Sequence, residues 1–357
     1  MSSTTADLSS ASLPTGRTPA GGLTGRRSTR ALGLLGCAAL LLVLTLSSLA
    51  VGSKGIPLGT VVDAYRDYDP TNNDQLIVRE LREPRTLLGL AVGLALGLAG
   101  TLMQGITRNP LADPGILGIN AGAAVGVVIG IYALDLTAPL AYVWFAFAGA
   151  LGAMTIVYGL GSLGRREATP VKLALAGAAL SAVLVSITTA IVLLDQSALE
   201  VYRFWVVGSL VSPTGDVVGT LAPLIAVGTV VAVCFGRSLN ALALGDDVAR
   251  ALGQRVVRTR MIAALTIALL AGSATAAAGP IAFVGLAVPH IARSLTGPDY
   301  RWALPYAALL APALLLAADV AGRVVARPGE LAVGVTTALL GAPFFVLLVR
   351  RRKLVEI

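Results

Sequence analysis

Ionisable side chains are scarce in this 357-residue chain: 13% of the residues are charged against 56% apolar, with one histidine and two cysteines. Each shortage removes a class of function. A single His and no Cys or carboxylate cluster at ligand spacing leave no metal centre, and no nucleophile–base pair is visible, so the chain is not an enzyme by itself. A phosphate-binding loop needs a Gly-Lys pair, whereas Lys54, Lys172 and Lys353 follow Ser53, Val171 and Arg352, so ATP is not hydrolysed here. No nucleotide or other cofactor is expected. An ion-coupled carrier places carboxylates or polar breaks near the membrane midplane. Of the 19 acidic residues only Asp319 lies in an apolar context, near the outer end of its span, with Arg323 four residues on as a local partner. His290, in GLAVPHIAR, reads as a hydrogen-bonded packing residue, and Cys37 and Cys234 as packed thiols.

What is present in abundance is uncharged sequence of membrane-crossing length. The mean hydropathy is strongly positive, and a crossing helix needs about 20 mostly apolar residues. Charge-free runs cover 31–53, 86–107, 114–134, 136–164, 173–194, 217–236, 261–292, 302–318 and 331–349, the seventh broken at Gly279-Pro280 into two helices. The expectation is an all-α integral membrane protein of about ten transmembrane helices. With ten spans both termini share a side, and placing them in the cytoplasm puts most of the 27 basic residues inside, as translocation of Lys and Arg is disfavoured. The net charge of +8 is thereby a matter of topology, and its scatter over loop ends excludes a nucleic-acid face.

The domains read as a disordered cytoplasmic tail over 1–30, a transmembrane domain over 31–353 and a C-terminal tail over 354–357. The tail, rich in Ser, Thr, Gly and Pro, cannot bury a core, and the apolar run after it is too long for a cleaved signal core. A polar outer segment follows at 54–85. Gly89, Gly93 and Gly97, then Gly118, Gly122, Gly126 and Gly130, place a small residue every fourth position, the pattern that lets helix backbones approach closely. Tyr132, Tyr142, Trp144, Tyr202, Trp205, Tyr300, Trp302 and Tyr306 lie near span ends and read as interfacial anchors. Residues 202–210 are expected to add a short outer helix that does not cross. A cytoplasmic island, RSLNALALGDDVARALGQRVVRTR over 237–260, reads as two short amphipathic helices broken at Gly245, with Asp246 capping the second. Such a pair wants either a partner or the headgroup layer.

Three stretches go beyond a generic membrane protein: LREPRTLLGLAVGLALGLAGTLMQGITRNPLADPGILGINAGAAVG from Leu81, GPIAFVGLAVPHIAR from Gly279 and LAADVAGRVVARPGELAVGVTTALLGAPFFVLLVRRR from Leu316. Over 31–353 the chain resembles the FecCD permeases of binding-protein-dependent importers for iron-siderophores, haem and cobalamin. The resemblance implies the type II ABC importer permease fold in a bacterial plasma membrane. It also implies pairing with a second permease chain in a homo- or heterodimer, ABC ATPase subunits below, and a periplasmic or lipid-anchored substrate-binding protein above. The family's docking arginines match Arg82, Arg85 and Arg323, a choice that suits carboxylate recognition; Glu83, within LREPR, departs from the usual apolar residue and would weaken or redirect one of them. The coupling helices that sit on the ATPase match Leu244, Gly245, Asp246, Asp247, Arg250 and Leu252. Inner-gate candidates are Thr169, Pro170 and Val171, with Gln104 a further pathway residue; Pro170 departs from the small polar residue expected. In the MQGITRNPLADPGILGIN segment, Asn109 and Asn120 would satisfy irregular backbone and Pro110 and Pro114 stop helices.

The function expected is ATP-driven uptake of ferric-siderophore complexes, with haem or cobalamin as alternatives. An ion-coupled secondary transporter, or a scaffold that docks a binding protein without transport, stands further off.

Overall fold

The computed structural model describes residues 27–162, 170–211 and 215–350. Among them every regular element is a helix: α1 (Arg27–Ala50), α2 (Leu58–Arg66), α3 (Asn73–Leu76), α4 (Glu83–Thr107), α5 (Ile119–Leu134), α6 (Pro139–Ser162), α7 (Pro170–Leu194), α8 (Gln196–Trp205), α9 (Gly215–Cys234), α10 (Gly236–Ala243), α11 (Asp246–Ala251), α12 (Val256–Ala278), α13 (Val284–Thr296), α14 (Tyr300–Val325) and α15 (Val333–Arg350). Seven helices are long and apolar enough to cross a membrane, and α5 and most of α15 are shorter apolar helices. With α13 the crossings number about ten, as the hydrophobic runs require. We call the side on which α1 begins the near side and the other the far side.

Helix α4 is the hub. Burial covers 78% of its apolar window, against 6% for α1 and 11% for α7, which lie at the periphery. The reason is in its glycines. A methyl group on Gly93 would sit 2.4 Å from the Pro312 Cα, one on Gly97 2.4 Å from the Ala311 Cβ, and one on Gly100 2.0 Å from the Gly285 carbonyl oxygen, so α14 and α13 rest directly on the α4 backbone. The α5–α6 pair is built the same way, Gly122 against Gly149 and Gly126 against the Phe145 carbonyl. Lipid is as apolar as leucine, so helices in a bilayer gain little from burying large side chains and much from this close contact. Gly118 stands apart from the pattern. Its φ of 77° closes the short 3-10 turn Pro114–Leu117 before α5, a left-handed turn suited to a residue without Cβ.

Helix α13 has 13 residues, about 20 Å of rise, short of a hydrocarbon core of roughly 30 Å. The irregular stretch 279–283 completes the crossing. Irregular backbone is tolerated at depth where protein covers it, and here Gly279 lies against the Trp205 carbonyl while the Ser209 amide donates to Ala278 at 2.8 Å.

Several expectations are corrected. The first helix begins at Arg27 rather than after residue 30; the Tyr306 hydroxyl donates to the Arg30 carbonyl at 2.7 Å and pins that turn. Tyr306, Tyr300 and Trp205 are therefore buried core residues and not interfacial anchors, whereas Tyr132 and Trp144 are exposed. The short far-side helix starts at Gln196, because the Asp195 carboxylate accepts from the Ala198 amide at 2.6 Å and caps it there. The polar segment after α1 folds into α2, α3 and a wide π-helical turn, Ile77–Arg82, that runs into α4. Its small core is Ala50, Ile56, Val61, Ala64 and Val78, and Arg79 lies 5.2 Å from both the Tyr65 and Tyr68 ring centres.

A matched pair of substitutions tests the glycine packing. Gly126→Ala, whose new Cβ meets backbone at 2.0 Å, should lose about 3 kcal/mol or more. Gly152→Ala, with open space around it, should stay within about 1 kcal/mol of the parent. Thermal unfolding in detergent micelles distinguishes the two, and equal melting temperatures would mean that α5 and α6 are not in contact there.

Candidate functional site

On the far side the beginnings and ends of α1, α4 and α14 meet in a cluster of arginines. Asp319 is fully buried, and it holds two of them. Arg85 Nη2 approaches Asp319 Oδ1 at 2.7 Å and Arg85 Nε approaches both carboxylate oxygens at 3.1 Å. Arg323 Nη2 reaches Asp319 Oδ2 at 2.9 Å, the pairing that a spacing of four residues anticipates. Arg85 also donates to Glu330 at 2.5 Å. Arg323 donates to the Ser48 carbonyl at 3.0 Å and hydroxyl at 2.8 Å, and Arg82 to the carbonyls of Leu49 and Lys54. Arg323 and Arg82 thereby satisfy the Ser48 and Leu49 carbonyls at the end of α1, which its own helix leaves without partners.

This differs from the expected outward-facing docking arginines: Arg82, Arg85 and Arg323 are all buried, and most of their donors are taken by this chain. They are not sealed off. All three line a cavity of about 440 Å³ with Lys54, Glu80 and Glu330. Glu83 does not redirect them. It turns to Tyr65, whose hydroxyl is pushed up to about 12, first by burial and then by the Glu83 carboxylate.

On the near side the island folds as two short helices with Gly245 between them at φ 106°, a backbone conformation that only glycine adopts readily. Leu239 and Leu242 are buried beneath, while Leu244 and Leu252 are 64% and 62% exposed and Val248 joins them. Asp247 and Arg250 pair at 3.1 Å in solvent. Asp246 makes no cap. It instead accepts from Arg108, just past the end of α4, and from Arg260 of α12 at 3.0 Å. Asn240 Nδ2 donates to the Asp299 carboxylate at 2.7 Å, and Asn240 Oδ1 accepts from the Tyr300 amide at 2.9 Å. Asp299 is held down to about 2, chiefly by the Arg301 guanidinium, so it is ionised at any physiological pH.

The remaining sequence expectations fall out unevenly. Gln104 does not face a pathway; it is fully buried, accepting from Arg293 Nη2 at 2.6 Å and donating to the Leu286 carbonyl at 3.1 Å, because α13 lies directly over it. His290 packs edge-on against Phe344, and its Nδ1 finds no hydrogen-bond partner among the described residues. Asn109 does satisfy irregular backbone, accepting from the Leu111 amide, whereas Asn120 accepts from the Thr275 hydroxyl. Of the gate candidates, Thr169 lies outside the described residues, Pro170 opens α7, and Val171 is 68% exposed. Val171 begins an apolar strip with Leu175, Val183 and Ile187 that none of the described residues covers. The sequence did not reveal Glu330 and Ser48 as partners of the arginines, nor Arg108 and Asn240 as the residues that fasten the short helices to α4 and α14.

Removing Asp319 leaves two buried guanidinium groups without their shared carboxylate. Asp319→Asn should therefore cost about 3–5 kcal/mol of stability in detergent. Glu330, whose side chain is 30% exposed, should cost under about 1 kcal/mol on conversion to Gln. Similar losses for the two would show that Asp319 is not the keystone.

Comparison with known proteins identifies the family. Residues 40–351 match the model of the FecCD transport family. The ferric enterobactin transport system permease protein FepD of Escherichia coli (strain K12) is 48% identical over 325 residues, 91% of this chain and 96% of that protein. The probable siderophore transport system permease protein YfiZ of Bacillus subtilis (strain 168) is 42% identical over 312 residues, 87% of this chain and 93% of its own length. A solved structure described as an inward-facing conformation of a metal-chelate type ABC transporter superposes with a TM-score of 0.78 at 25% identity, covering 90% of this chain and 99% of that one. The all-helical architecture, the glycine-packed core and matches that run almost end to end agree: this chain is a multi-pass membrane permease belonging to the FecCD transport family.

Proposed function

We propose that this chain is the permease subunit of an ATP-driven, binding-protein-dependent importer of ferric-siderophore complexes. The observation that carries the reading is the similarity to siderophore permeases along nearly the whole chain, joined to the division of labour between its two ends. The far side is extracytoplasmic and carries the arginine-lined cavity; the near side, with both termini, is cytoplasmic and carries the exposed leucines of α10 and α11.

Each end suits its partner. Arg85 holds Glu330 at the rim of the far-side cavity, where an incoming carboxylate from a binding protein competes with Glu330 for the same guanidinium. Leu244, Val248 and Leu252, with Asp247 and Arg250 beside them, present an apolar patch with a charged rim, the composition of a protein contact. There the ATPase subunits bind. Leu244 and Gly245 shape the contact, while Asp246 holds the helices from behind. The uncovered strip from Val171 along α7 fits a second permease chain, with the translocation pathway and inner gate beside it. ATP hydrolysis in the partner subunits supplies the energy, a reading supported by the similarity to a metal-chelate type ABC transporter.

Two measurements test this. Uptake of radioactive iron as catecholate, hydroxamate and citrate-type complexes, in cells with and without the gene and with the ATPase inactivated, should show one class that needs both. Uptake that ignores the ATPase favours a secondary carrier, and no dependence on the gene favours haem or cobalamin. Leu244→Glu with Leu252→Glu should weaken co-purification of the ATPase at least tenfold, in line with the loss of a buried apolar contact. Undiminished co-purification would place the ATPase elsewhere.

A further inference from the structure

Helices α4 and α14 are joined at both ends and along their length. At the far end Arg85 and Asp319 form the buried ion pair. Downward, Gly89 lies against the Leu316 side chain, Gly93 against the Pro312 backbone, Gly97 against Ala311 and the Ala307 carbonyl, and Gly105 against the Tyr300 ring, so the two helices run antiparallel and their backbones come closest at Gly93 and Gly97. At the near end each rod grips one of the short helices. Arg108, just beyond α4, holds Asp246 at the start of α11. Asp299 and the Tyr300 amide, at the start of α14, hold Asn240 of α10. Leu239 of α10 also seats on Gly105 of α4.

We infer that the α4–α14 pair is a single rigid strut of roughly 35 Å that carries the state of the far-side arginine cluster to the ATPase-facing helices, with Arg108, Asn240 and Asp299 as its positioning residues. The physical ground is slack. Backbone contact at Gly93 and Gly97 leaves little room there to absorb a displacement, and close-packed interiors shift between discrete arrangements rather than deform smoothly. A carboxylate that competes with Glu330 for Arg85 tilts or slides the pair as a body. The inner clasps turn that movement into a movement of α10 and α11. Neither clasp includes the exposed leucines. Their role is transmission, and it rests on the importer reading above.

The test uses the whole complex in nanodiscs, this permease with its ATPase and binding protein, the latter loaded with radio-iron ferric siderophore. Basal ATP hydrolysis, hydrolysis stimulated by the loaded binding protein, and binding-protein affinity are measured together. Arg108→Gln and Asn240→Ala should each lower the stimulated rate by about threefold or more, with basal rate and affinity unchanged. Arg108→Lys, which keeps the charge opposite Asp246, should retain most of the stimulation. If Arg108→Gln fails to assemble, Asn240→Ala decides alone, since it removes no charge. Full stimulation in Asn240→Ala, or equal loss of basal and stimulated rates, overturns the strut while leaving the importer intact. A wild-type complex that loaded binding protein does not stimulate overturns the importer reading and the strut together.

Discussion

Helix α4 lies against α14 so closely that a single methyl group at Gly93 would meet the Pro312 Cα at 2.4 Å. That contact fixes the registry of everything at the two membrane faces. Because the two helices touch through backbone, Arg85 stands opposite Asp319, and Gly105, one turn from the other end of α4, comes against Tyr300 and Leu239. In a bilayer such contact replaces the hydrophobic force that would hold a soluble core, since lipid tails compete for any apolar side chain. A residue larger than glycine at these positions would separate the helices and, with them, the paired charges at both ends.

The charges themselves are arranged by a second constraint. A guanidinium removed from water must find compensation, or the desolvation cost exceeds what the fold can bear. Arg85 and Arg323 share one fully buried carboxylate and turn their other donors to Glu330, Ser48 and the last carbonyls of α1. The donors that Arg323 and Arg82 turn to the Ser48 and Leu49 carbonyls finish the first helix. Only Glu330 remains partly in solvent, which makes it the member of the cluster most readily exchanged for a carboxylate from outside.

The near-side helices follow similar logic with the opposite outcome. Asp246 and Asn240 face inward and bind the ends of α4 and α14, and the leucines face outward. A surface that exposes apolar side chains on helices anchored by polar ones gives a patch whose position is set by the membrane helices.

Much of this was legible in the amino-acid order. Run lengths of uncharged residues gave about ten crossings, the small-residue period marked the packed faces of α4, α5 and their partners, and Gly245 marked the break between the short helices, because all three are local patterns. The Asp319–Arg323 pair was visible for the same reason. Arg85 and Asp319 lie 234 residues apart and Arg108 and Asp246 lie 138 apart, and no local periodicity reports a partner at that range. The sequence therefore read Asp246 as a cap, Gln104 as a pathway residue and Arg82 and Arg85 as docking residues with no partner inside the chain, when folding had already given each one. By itself the sequence determined a glycine-stitched helical membrane protein of the FecCD family, for hydropathy, helix period and family motifs are written along the chain. Which charges are spent inside the protein and which are left for its partners was decided only when distant helices met, since burial and pairing are properties of the assembled interior.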